Sequence, residues 1–419
     1  MSENELAFIE RKFTEYYSQE KIVLPTQTGN REFGFIPFRE KMMIRHRSFK
    51  TLREVTDFIL AISPAHVYYS AAYYESPEES MNRKKWLRAD LIFDIDLDHL
   101  DTPCKKHHEL WICDNCQKAS TQPNGECPYC SSRKMKKEAW LCDICLEVAK
   151  TETLRLLDFL IVDFGFQPNT IELCFSGHRG YHVHVNEKEV TLLDQTARKE
   201  IVDYILGTGL KIEYHGLGAL SRKTAKRISG PTLTDYGWSG RIAKGIYDFL
   251  LSTPSQQLEE IEGRNKPFIR RISANKEEIL STLSRRNSWG LVKGMGMKTW
   301  QRLVEYGIEK QASNIDTVVT TDIHRLIRIP QSLHGKTGLK VTQIPLNSLE
   351  KFDPLKEAIA FQKDHIEVFV LESHQFRLGN EVFGPYKQEI VELPTAAGIY
   401  LLCKKVAKLH TKKFLKTTK

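Results

Sequence analysis

The stretch Leu91–Asp98, LIFDIDLD, decides how this chain is read. Its alternation is that of a β-strand. Phe93, Ile95 and Leu97 then share one face, and Asp94 and Asp96 share the other. Two carboxylates side by side on a strand repel each other, and a hard divalent cation with oxygen ligands offsets that well. Mg²⁺ or Mn²⁺ shared by two or three carboxylates can hold a triphosphate and activate a 3′-hydroxyl. The competing reading is a strand end running into an acidic loop, since Asp98 and Asp101 follow.

Further along, TIELCF (Thr170–Phe175) and YHVHV (Tyr181–Val185) read as two strands around the tight turn SGHRG. Gly177 and Gly180 permit a close backbone approach there. The turn presents Ser176, His178 and Arg179, and strand periodicity sets His182 and His184 on a common face. A hydroxyl, a guanidinium and imidazoles beside backbone amides suit a polyphosphate. The plainer alternative is a hairpin with a solvated arginine and a packed histidine.

Between these two features lie seven of the nine cysteines, from Cys104 to Cys145. Cys113-x-x-Cys116 and Cys127-x-x-Cys130 stand ten residues apart, the spacing of a tetrahedral Zn²⁺ ribbon. Cys104, His107, His108, Cys142 and Cys145 remain as a second set, and Cys142-x-x-Cys145 opens an amphipathic helical pattern running to Val162. Cys174 and Cys403 read as ordinary packed thiols.

The 419 residues are 41% hydrophobic and 27% charged, with a net charge of +8. No apolar run approaches the roughly 18 residues of a membrane span. The opening MSENELAFIERKF has neither the basic nor the apolar region of a secretory signal, so a secreted protein is not expected. Glu3–Gln19 and Leu52–Leu60 have helical periodicity, while REFGFIPF, MMIRHRSF and His66–Tyr74 read as strands. Residues 190–314 are polar and mostly helical in pattern, and GMGMK (Gly294–Lys298) within them reads as a loop. Strand chemistry is expected to resume in DTVVTTDIHRLIRIPQSLHGKTG, from Asp316 onward. The end, Cys403–Lys419, has seven lysines in seventeen residues and reads as a solvated tail.

FDID, then SGHRGYH, then RLIRIPQSLHGKTG, together with REFGF and IRHRSF near the start, resemble the small, catalytic subunit of archaeal and eukaryotic DNA primase. The resemblance extends from Arg31 to about Val341 and is weak in the helical region. It implies an α+β fold: a mixed sheet flanked by helices, a helical subdomain and inserted zinc-binding elements. On that pattern, residues 1–103, 146–189 and 315–419 build the catalytic core, 104–145 the zinc insertion and 190–314 the helical subdomain.

The family uses three carboxylates for two catalytic metals, which implies Asp94, Asp96 and, fourteen residues before Pro330, Asp316. Asp322 competes for the third place, and on an extended strand both would share one face. The resemblance also implies triphosphate contacts for Ser176, His178 and Arg179, with His182, Arg328 and His334 in the same nucleotide site. His178 stands where eukaryotic members have arginine. Glu32 and Arg45 resemble a pair near the nucleotide sugar and template. A second zinc falls to Cys104, Cys142, Cys145 and one of His107 and His108.

The implied activity is synthesis of short RNA primers on single-stranded DNA from nucleoside triphosphates, with Mg²⁺ or Mn²⁺ at the aspartates and Zn²⁺ at the cysteines. The implied partner is a large iron–sulfur subunit forming a heterodimer. The implied location is the cytoplasm, or the nucleus in a eukaryote. Two alternatives stay open: a stand-alone primase–polymerase for repair or plasmid replication, and a non-catalytic zinc-ribbon protein that binds nucleic acid.

Overall fold

Two four-stranded antiparallel sheets carry the motifs. The computed structural model describes residues 2–19, 22–40, 42–100, 102, 104, 110–116, 118–120, 125–138, 140–215, 230–252, 266–285, 289, 292–362 and 364–410. His107 and His108, like the Lys-rich stretch after His410, lie outside them.

In the first sheet the strand order is Leu326–Arg328, Pro64–Ser70, Phe33–Pro37, Ile44–Arg47. In the second it is Thr342–Ile344, Ile171–Phe175, Gly180–Val185, Leu91–Asp96. The aspartate strand alternates as its sequence predicts: Phe93 and Ile95 are fully buried, while Asp94 and Asp96 are half-buried. Burying each such large apolar side chain contributes about 1.5–3 kcal/mol over leaving it exposed. The neighbouring strand Gly180–Val185 is buried on both faces, histidines included. Its register sets His182 against Asp94 and Gly180 against Asp96. Only glycine fits at 180, because a Cβ there would lie 2.0 Å from the Ile95 carbonyl oxygen.

One compact unit comprises residues 1–154, 166–199 and 315–419, and therefore both sheets. It also holds the three-stranded sheet Tyr386–Pro394, His365–Ser373, Ala407–Leu409 and the buried helix Thr395–Cys403. The other unit, 155–165 with 200–314, is helical among its described residues. There the helices Gly237–Ser252 and Met297–Gln311 pack through Gly245 and Gly307, and a Cβ on Gly245 would stand 2.6 Å from the Gly307 carbonyl oxygen. Arg241 pairs with Asp158 and Asp163 at 2.8 Å in the same unit. No helix among the described residues is long and apolar enough to cross a membrane.

The expected strand from Asp316 is not there. Thr317–Thr321 forms a short helix, and strand resumes only at Leu326. The Asp316 carboxylate accepts the Val318 and Val319 N–H groups at 2.9 and 3.4 Å, so a strong N-cap overrides the strand preference of a Thr/Val run. Asp316 and Asp322 thus stand at opposite ends of a helical turn and do not share the face of a strand.

Candidate active site

The carboxylates converge first. The backbone N–H of Asp316 donates to the Asp94 carbonyl at 2.8 Å. This bond brings the short helix onto the aspartate strand. Burial, then the charge of Asp96, and also that of Asp316, push the Asp94 carboxyl up to about 7, against the lowering effect of Arg328. A buried carboxyl among like charges resists ionising, and a divalent cation with oxygen ligands offsets that. His182 stands beside them, its Nε2 3.7 Å from Asp94 Oδ1. Asp322 belongs elsewhere: it accepts the His324 N–H at 2.9 Å, and its charge is felt by Arg45 and Tyr74.

The turn SGHRG and the loop SLHGKTG, far apart in sequence, lock together. The rings of His178 and His334 stack with centroids 4.7 Å apart, and Thr337 Oγ1 donates to the Gly177 carbonyl at 2.6 Å. His66 meets His334 edge-on at 4.6 Å. Burial first, then surrounding cations, hold all three imidazoles well below their ordinary value. For His178 those cations are Lys404, Arg179, Arg328 and Lys336. Neutral rings among cations can donate hydrogen bonds to phosphate oxygens without burying further charge. Arg179 is buried, ion-paired to Asp98, and its Nε has no hydrogen-bond partner among the described residues. The same holds for His178 Nε2 and Arg328 Nε. Orphaned buried donors clustered in one place fit an anion with several oxygens. Ser176 is buried, and its Oγ accepts the His178 N–H at 3.4 Å.

Glu32 and Arg45 come together as well. Arg45 donates to the Glu32 carboxylate through Nε at 3.0 Å and Nη2 at 3.1 Å, and the His46 N–H adds a third bond at 3.0 Å. Lys84, fully buried, has Nζ 3.4 Å from Glu32 Oε2. Burial alone pushes Glu32 up, but Arg45, the His46 N–H and Lys84 outweigh it and hold the carboxyl below its ordinary value.

The cysteines form two clusters. Cys113, Cys116, Cys127 and Cys130 bring their sulfurs within 4.8 Å of one another, with Cys113–Cys130 at 3.6 Å and Cys116–Cys127 at 3.5 Å. A tetrahedral zinc with bonds of about 2.3 Å needs sulfurs about 3.8 Å apart, so the set fits. Hydrogen bonds from the Ser132 N–H and the Asn115 side chain pull the Cys130 thiol down, while burial and the neighbouring sulfurs push Cys116 up. Cys104, Cys142 and Cys145 make the second cluster, with Cys104 3.7 and 3.3 Å from its partners.

Sequence reasoning missed His66, Lys84, Lys336 and Lys404. His66 opens a strand read only for its fold, and Lys336 lies inside a quoted motif without a role. Lys404 is fully buried at the end of the helix Thr395–Cys403, in a stretch read as a solvated tail. No local pattern marks such a lysine, because its burial is set by distant elements.

The sequence model of the DNA primase small-subunit family matches residues 93–345. Relatives named DNA primase small subunit PriS match along nearly their whole length. That of Methanothrix thermoacetophila is 35% identical, over 96% of this chain and 98% of the relative. That of Nitrosopumilus maritimus is 33% identical, over 97% and 99%. That of Methanococcoides burtonii is 34% identical, over 96% and 97%. With the motifs brought together as described, the chain belongs to the DNA primase small-subunit family and is a primer-synthesising nucleotidyltransferase.

Proposed function

We propose that this subunit joins nucleoside triphosphates on a single-stranded DNA template, with Asp94, Asp96 and Asp316 holding two Mg²⁺ or Mn²⁺ ions. The observation that carries the reading is the position of Arg328. Its charge is felt both by Asp94 and by His66, His178, His182 and His334. A cation felt by both a carboxylate pair and a cluster of neutral imidazoles is what joining a hydroxyl to a triphosphate requires. When bound, the ions supply acidification of the attacking 3′-hydroxyl and charge neutralisation at the phosphates.

The chain's own groups do the rest. Ser176, His178, Arg179 and His334 grip the triphosphate, and Arg328 offsets charge that builds on the reacting phosphate. His182 orients Asp94. Glu32, its carboxylate kept ionised by Arg45 and Lys84, offers an acceptor toward the nucleotide sugar and template. Cys113, Cys116, Cys127 and Cys130 hold one structural Zn²⁺. Cys104, Cys142 and Cys145 hold a second, with His107 or His108 as fourth ligand. A large iron–sulfur subunit is the partner, and the cytoplasm the place of action.

The test is primer synthesis on a single-stranded template with labelled nucleotides, with and without divalent cation. Replacing Asp94 and Asp96 together by alanine is expected to abolish incorporation while template binding persists. Metal-dependent incorporation by that double variant would overturn the reading.

A further inference from the structure

The first cysteine cluster closes a small sheet, one face of which sets half-buried Trp111 and Met135 beside exposed Lys137. Leu110–Cys113 lies between Ala119–Ser120 and Met135–Glu138. The register sets Trp111 opposite both Ser120 and Lys137, and Cys113 opposite Met135. Alternation therefore puts Trp111, Cys113, Met135 and Lys137 on one face, with buried Ile112 on the other. The Lys137 ammonium stands 5.8 Å from the centre of the half-buried Trp111 ring. At the cysteine end of the sheet the Cys113 N–H donates to the Lys118 carbonyl at 3.0 Å, which sets Lys118 beside Cys113. Tyr129 is 49% exposed, and the Lys118 ammonium lies 4.7 Å from its ring centre. One arrangement thus occurs twice: an aromatic ring, half-buried at Trp111 and exposed at Tyr129, with a lysine ammonium beside it.

Lysines and arginines outnumber carboxylates five to three in residues 110–138, and Arg133 takes up Glu126 at 2.9 Å. Rings that stack with unpaired bases, each beside an ammonium that meets a phosphate, make a single-strand platform. A duplex would offer only its phosphates, because its bases already stack on one another. We propose that this face binds the single-stranded DNA template through Trp111 and Tyr129 stacking and Lys118 and Lys137 phosphate contacts. The proposal rests on the template-dependent reading above. It adds a contact surface outside the carboxylate and histidine clusters.

The test is fluorescence anisotropy of the full chain with labelled oligo(dT) and with an abasic oligonucleotide of equal length. Trp111→Ala is expected to weaken oligo(dT) binding about 5-fold to 150-fold, the range for losing one stacked base, and to leave abasic binding nearly unchanged. Lys118→Gln and Lys137→Gln should each reduce the slope of log affinity against log salt by about 0.7. Zinc content, measured in parallel, reports whether the sheet still folds; if Trp111→Ala lowers it, Tyr129→Ala gives the same comparison. Unchanged oligo(dT) affinity in the zinc-replete variants, or equal losses on both oligonucleotides, would overturn the proposal. Failure of the primase reading would appear separately, as a parent protein that binds DNA but incorporates no nucleotide.

Discussion

Asp316 donates its backbone N–H to the carbonyl of Asp94 at 2.8 Å, and so sets the capped end of the short helix beside the aspartate strand. Asp322, at the other end of the same short helix, accepts the His324 N–H, and its charge is felt by Tyr74 and Arg45. Asp316→Asn keeps the helix cap, because asparagine caps as well as aspartate, and removes only the charge. It is expected to lower incorporation by about 100-fold or more with little change in melting temperature. Asp322→Asn should stay near the parent rate. Steady-state incorporation assays on both variants decide between the two positions.

A variant at Arg328 tests nucleotide binding apart from template binding. Its guanidinium is proposed to meet the triphosphate, and a lost charge-assisted hydrogen bond is worth about 1.5–3 kcal/mol. Arg328→Ala should therefore raise KM for the nucleotide by about 10-fold to 100-fold, with Kd for single-stranded DNA unchanged. Competition experiments with inorganic triphosphate report the same loss without turnover.

Glu32 and Lys84 form a fully buried pair at 3.4 Å, and removing one partner of such a pair costs about 3–5 kcal/mol. Glu32→Gln is expected to destabilise the protein by that order at neutral pH. The carboxyl titrates lower in the folded chain than in the unfolded one. Its contribution is therefore complete above the ordinary carboxylate range and is lost as pH falls through the depressed folded value. The stability gap between parent and Glu32→Gln should be full at about pH 7 and should shrink as pH falls below the ordinary carboxylate range. Urea unfolding at several pH values measures it.

Zinc is expected at two ions per chain. Cys113→Ser should leave one, because the Cys104, Cys142, Cys145 cluster shares no ligand with the first. Chelation should disorder the small sheet around Trp111, because that segment is too polar to fold by burial alone. Metal analysis with near-ultraviolet circular dichroism tests both expectations. One zinc in the parent protein would reject the second site.

Much was legible in the chain because it depends on neighbours in sequence. Period two in LIFDIDLD placed Asp94 and Asp96 on one face, and glycines bracketed the turn before Tyr181. Two C-x-x-C pairs ten residues apart marked a metal cluster. The structure keeps each of these as a local unit. The run after Asp316 misled, because threonine and valine favour strands while one capping carboxylate and one backbone bond to Asp94 tip the balance toward a helical turn.

By itself the sequence determined the aspartate strand, the hairpin and the cysteine spacing, since these follow from periodicity and chain geometry over a few residues. Only the tertiary structure decided which distant groups meet. It set Asp316 rather than Asp322 beside Asp94, stacked His334 on His178, and buried Lys84 and Lys404 among charges that no local pattern announces. The reason is physical: the surroundings of a charge are set by whatever packs around it, and most of that lies far away along the chain.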